Sequence, residues 1–265
     1  MENYVEQCYD EYKIFMNLEK SDSLPIILPI ICEDLNKETN APLAYVQPNN
    51  VLLPAVPLYI SKHLFDYSEQ FQKSIFFHEF THIMDANLIF SNYNQKDLEA
   101  LMSTYSEYHA SQAELLCNIG FENVKEFRQL DLDNTFVVGA EGVEPITQNY
   151  LEPLVKALGI MDKPSNTYQN LNAIEYYRNY SLFEKTTMYY LGKRKLCENL
   201  SIKRIQNITE KNYGEFYPFI KNIELCIEKH DFRNLILAKN ELWEKYISYF
   251  PCVNTKYLIE NDKTL

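Results

Sequence analysis

Glycine is scarce in this chain: six occur among 265 residues, at positions 120, 139, 142, 159, 192 and 214. So sparse a set assembles neither a phosphate-cradling loop nor a dinucleotide-binding fingerprint, which excludes the common nucleotide-enzyme designs. The six cysteines, at 8, 32, 117, 197, 226 and 252, include no C-x-x-C pair. That is neither a zinc-ribbon pattern nor a compact disulfide framework, and buried reduced thiols are expected. No run of 18 apolar residues exists, and the first residues are acidic where a secretory signal needs basic ones. A cytoplasmic protein with no membrane association is the expectation. Basic charge is short in the first part of the chain, where residues 1–149 hold 8 basic and 23 acidic side chains; residues 150–265 hold 17 and 14. That acidic balance disfavours nucleic acid as a ligand.

What is present is enough apolar surface for a core: hydrophobic residues make up 46% of the chain, with 21 Tyr and 15 Phe. Helical spacing over 2–20 (Tyr4, Val5, Cys8, Tyr12, Ile14, Phe15) predicts an amphipathic opening helix. Short apolar stretches at 24–32, 42–46 and 51–60 predict a small sheet, with prolines marking edges or irregularities. A helix is expected from a cap at Asp66 or Ser68 to about Phe90, and a second from a cap at Asn94 to about Ile119, where Gly120 stops it. Residues 121–147 read as irregular or partly extended, and further helices are expected at about 148–158, 167–198, 214–229 and 232–249. The fold class is therefore α+β and mostly helical: a small N-terminal sheet packed on two helices, then a helical C-terminal region. The expected division is 1–147 and 148–265, or one compact unit. The basic runs Lys193-Arg194-Lys195 and Lys203-Arg204 read as a solvated face.

One pentapeptide carries chemistry. Residues 78–82 read His-Glu-Phe-Thr-His inside the first of the two paired helices. Positions i and i+4 share a helix face, so both imidazoles can meet one ion while Glu79 stands beside it. Two histidines leave a tetrahedral zinc short of one protein ligand, and a hydrolytic site keeps its last position for water. Glu79 would take a proton from that water and pass it to the leaving amine. Phe76, Phe77, Phe80, Ile83 and Met84 supply the packing for the rest of the helix. The third ligand has three candidates: Glu107, His109 and Asp85. Glu107 is followed by small residues at i+3 and i+6, Ala110 and Ala113, which would let its helix lie close to the first. Asp85 and Leu88 stand where a metzincin has glycine and its third histidine, so that class is excluded.

With this motif and the segment Glu107-Tyr108-His109-Ala110, residues 1–120 or so resemble the gluzincin metallopeptidases, especially the small ImmA/IrrE-like ones. The resemblance implies a zincin-like catalytic domain over 1–147, a zinc cofactor and a protein or peptide substrate. It makes His78, His82 and Glu107 the metal ligands and Glu79 the general base. Ala110 departs from the acidic partner that such proteins often carry, which leaves Asp85 and Glu114 as candidates to support the ligands. An oxyanion donor is needed as well. His109, Tyr105 and Tyr177 are candidates, as are Tyr108 and Tyr189, and the strand near 51–60 is the expected place for a substrate to add as a further strand. Two alternatives stay open: a degenerate zincin that binds a partner around a structural metal, and a helical interaction protein in which the motif is accidental.

Overall fold

The computed structural model describes residues 1–19, 22–33, 42–126, 128–162, 168, 171–203, 205 and 209–250. Cys252, the basic residue Arg204 and the last part of the expected 148–265 segment lie outside them. The opening helix α1 (Glu2–Phe15) buries Val5, Cys8, Tyr9, Tyr12 and Phe15. Ile14, expected on that face, is exposed, and Tyr9 lies inward in its stead.

Strands β1 (Ile26–Cys32), β2 (Ala44–Val46) and β3 (Ala55–Ser61) form one sheet in the order β1-β3-β2. β3 runs parallel to β1, with Ile26 opposite Ala55, and antiparallel to β2, with Ala44 opposite Ile60. Val56, Leu58 and Ile60 alternate into the core, the period-2 signature of a half-buried strand. The expected substrate strand at 51–60 is therefore the central one. Both its sides are already hydrogen-bonded, so it cannot accept another strand, and the edges are β1 and β2.

The motif helix α2 (Glu69–Met84) begins at Ser68, whose hydroxyl accepts the Phe71 N–H at 3.3 Å; of the two expected caps, this is the one used. Such a cap contributes about 1 kcal/mol. Phe76, Phe77, Phe80 and Ile83 are all buried, and α1 supplies much of their cover: Tyr12 meets Phe77 and Phe80 with ring centroids 5.3 and 5.6 Å apart. A helix enclosed all round in this way is a core element. It continues into a wider π turn, Asp85–Ile89.

The second expected helix has the expected extent but is not continuous. Asn94 caps α3 (Gln95–Leu101), a π turn follows at Met102–Ser106, and α4 (Glu107–Ile119) ends at Gly120 with φ 81°. Residues 136–145 form a hairpin of β4 (Phe136–Gly139) and β5 (Gly142–Pro145), the extended part of the stretch expected to be irregular or partly extended. The helices α5 (Ile146–Met161), α6 (Ala173–Leu200), α7 (Tyr217–Glu228) and α8 (Phe232–Tyr249) follow, with a short helical turn at Thr209–Tyr213. Mostly helical α+β is the class of the whole. Among the described residues no helix is long and apolar enough to cross a membrane.

α4 packs along α2 on one side and along α6 on the other. The second contact depends on Gly192, because a Cβ there would overlap Ser111 Oγ and the Tyr108 carbonyl oxygen. The basic run on the same helix is not a solvated face. Lys193 and Arg194 are buried, the first bonded to Glu114 and Asn149, the second paired with Glu198 and Glu224. Carboxylates from neighbouring elements fold back on them, which no local pattern reveals.

Candidate metal centre

His78, Glu79 and His82 project from the middle of α2 and are 3%, 6% and 5% exposed. Two imidazoles one helical turn apart bring their ring centroids to 4.9 Å. Each ring is held from behind: His78 Nδ1 lies 3.1 Å from Glu114 Oε2, and His82 Nδ1 lies 2.8 Å from Ser106 Oγ. Engaging Nδ1 in this way fixes the ring and turns Nε2 inward as the candidate ligand atom.

Glu107, at the start of α4, faces both Nε2 atoms. Its Oε2 is 3.3 Å from His78 Nε2 and 3.4 Å from His82 Nε2. The corners of a tetrahedron around an ion bound at about 2.0–2.1 Å are about 3.3–3.4 Å apart, so the carboxylate stands from both nitrogens at ligand spacing. The same oxygen is buried with no hydrogen-bond partner among the described residues. A buried carboxylate oxygen left without a donor is costly unless a cation meets it. The ligand atoms of His78, Glu79 and His82 also lie within 4.8 Å of one another, and this group could hold a metal ion.

Glu79 is fixed differently. Its Oε2 accepts the Val46 N–H at 3.0 Å, which ties it to the edge strand β2. Burial would lower the His78 imidazole, but the carboxylates of Glu107 and Glu114, one beside each ring nitrogen, outweigh it and hold it up at about 9. Burial would raise the Glu107 carboxyl, yet Lys185 and the two imidazoles keep it well below the usual carboxylate range. For Glu114, burial is likewise outweighed, here by Lys193 and His78, and it is brought down to about 2.

The long helix α6 completes the centre with residues that sequence reasoning missed or could not choose. Lys185, Tyr189 and Lys193 follow at four-residue spacing on one face. Lys185 Nζ lies 3.1 Å from Glu107 Oε1, the oxygen turned away from the histidines. The Tyr189 hydroxyl is 2.9 Å from His78 Nε2. Lys193 Nζ is 2.9 Å from Glu114 Oε1 and 3.0 Å from Asn149 Oδ1. Their even spacing was the available signal; which partners they meet depends on the helix crossing at Gly192.

Several candidates lie elsewhere. Asp85 does not hold His78 or His82: its Oδ1 is 2.9 Å from His109 Nδ1, so the two alternatives to Glu107 bond each other instead. Tyr105 packs against Phe90 and Phe232 with centroids 5.6 and 5.0 Å away, and Tyr177 is exposed beside Trp243. Tyr108 is buried, and its carbonyl faces Gly192. Of the five oxyanion candidates, Tyr189 is the one in contact with His78. Ser106, which holds His82, was not anticipated; a hydroxyl one residue before a candidate ligand is too common a pattern to single out.

Comparison with known proteins gives no relative: no family model matches the chain, and no curated protein and no solved structure matches it.

Proposed function

We propose that the chain is a zinc-dependent metallopeptidase of the gluzincin type, similar to the ImmA/IrrE-like group, acting on a protein or peptide. His78, His82 and Glu107 would hold the ion, and Glu79 would act as general base. The observation that carries this reading is the orphaned Glu107 Oε2, 3.3 and 3.4 Å from two imidazole nitrogens. Two imidazoles and one carboxylate form a donor set suited to catalytic zinc. Bound there, zinc would supply an acidified water and polarise the scissile carbonyl.

The chain's own groups serve the remaining steps. Val46 N–H holds Glu79 Oε2, which leaves the other carboxylate oxygen to take the proton of the attacking water and return it to the leaving amine. A purely structural metal needs no such base. Val46 belongs to β2, the edge strand that is bonded to Glu79, so an extended peptide pairing with β2 would run past that carboxylate.

Metal quantification and a peptide-library cleavage assay test the reading together. One zinc per chain is expected in the wild type and none in His78→Ala/His82→Ala. Glu79→Gln should keep the zinc and lose cleavage by about a hundredfold or more. A wild type that binds no stoichiometric metal, or a Glu79→Gln variant with full cleavage, would overturn it.

A further inference from the structure

In the neutral, metal-ligating form of His78 the inward nitrogen has one lone pair, and the hydroxyl of Tyr189 lies at hydrogen-bond distance from that nitrogen, 2.9 Å away. The phenol and imidazole rings meet edge-on with centroids 5.1 Å apart. A group that hydrogen-bonds this lone pair stands on the side of the imidazole where a cation must sit. The hydroxyl oxygen and Glu107 Oε2 are therefore both neighbours of the same nitrogen, at 2.9 and 3.3 Å.

The tyrosine is also held in place. One turn before it, Lys185 is paired with Glu107 Oε1 and carries its ammonium 5.3 Å from the phenol ring centroid. One turn after it, Lys193 is paired with Glu114, and Gly192 seats the helix against α4. Tyr189 lies between two anchors on a rigid helix, which restricts any swing away from the histidines.

Resting on the metal-site reading, we propose that Tyr189 is a fourth protein donor to the cation, completing a set of two nitrogens and two oxygens with His78, His82 and Glu107. Coordination through the phenol oxygen releases its proton to solvent, and neither ring nor metal changes oxidation state. The centre is then closed at rest. A water or a substrate carbonyl enters as a fifth donor or displaces the phenol, so the position of α6 governs access to the ion.

Copper(II) is the probe, because a coordinated phenolate gives it an intense charge-transfer absorption that imidazoles and carboxylates do not. Wild-type protein loaded with one equivalent should show this band, with tyrosine ring vibrations enhanced in resonance Raman spectra. Tyr189→Phe should bind one equivalent without the band, and its Kd should rise at least about tenfold. The proposal is overturned if the wild type binds one equivalent, dependent on His78 and His82, with no band, or if the band persists in Tyr189→Phe. Absence of stoichiometric binding in the wild type would instead overturn the metal site itself, so the two failures are separable. Circular dichroism of Tyr189→Phe checks that the fold is retained; the wild-type spectrum decides the question even if it is not.

Discussion

The ammonium of Lys193 stands 2.9 Å from Oε1 of Glu114, while the other oxygen of that carboxylate is committed to His78 Nδ1. One buried acid thus joins α6 to a candidate metal ligand. Glu114→Ala should have two separable effects. It strands a lysine that is only 5% exposed, a loss of about 3–5 kcal/mol measured by denaturant unfolding. It also frees the His78 ring, raising the Kd for zinc about 10–100-fold. Adding Lys193→Met should restore much of the stability and none of the affinity. Recovery of both would mean that Glu114 acts on the metal only through the fold.

Lys185 offers a milder test of the same centre. Its side chain is partly exposed and holds the outer oxygen of Glu107. Lys185→Met should leave the melting temperature nearly unchanged, since partly exposed ion pairs contribute little. Zinc affinity, measured by chelator competition, should nonetheless fall about tenfold as the carboxylate loses its hold.

Gly192→Ala adds one methyl group where α6 meets Ser111 and the Tyr108 backbone. Backbone cannot give way as a side chain can, so overpacking should destabilise the protein by about 1–3 kcal/mol or more. The displaced helix would carry Lys185 and Tyr189 with it. Thermal unfolding and metal titration should both report the change; an unaltered zinc affinity would show that α6 does not hold the centre.

Thiol chemistry probes the core away from the metal. Burial raises Cys8 to about 11 and Cys117 and Cys197 to about 12, and it also raises Cys226. Cys32, on the edge strand β1, is partly exposed. Brief alkylation of native protein at pH 8, followed by peptide mapping, should therefore label Cys32 well before those four. The even burial expected of all the cysteines does not hold there, because β1 turns part of its surface outward.

The parts legible in the sequence were those that depend on one element or on neighbours in sequence. The helical spacing of His78 and His82, the cap at Ser68, the stop at Gly120 and the extent of the two paired helices all follow from local rules. The small residues after Glu107 pointed to a close helix pair. The rest depended on which elements meet. Strand order made 55–61 central because β1 pairs parallel with β3, a connection that turn chemistry cannot reveal. Lys193 and Arg194 looked like surface charge because their carboxylate partners lie at Glu114 and Glu224, far away in sequence. Tyr189 was one tyrosine among many until the crossing of α6 and α4 selected it.

The π turn at Met102–Ser106 sets a trade-off between regularity and alignment. Such a turn is one residue wider than an α-helical turn, and here it lies between α3 and the glutamate that starts α4. Deleting a single residue from 102–106 would let the two helices merge into an unbroken rod. Because the wide turn takes up its extra residue within one revolution, the flanking helices would keep nearly their present bearings, and the change would fall on the residues of the turn itself. Ser106, the last residue of that turn, carries the hydroxyl that holds His82 Nδ1 at 2.8 Å, so tightening the turn would disturb the contact behind that ring. A shortened variant could melt at a higher temperature than its parent and still bind zinc more weakly, so selection for stability alone would work against the centre.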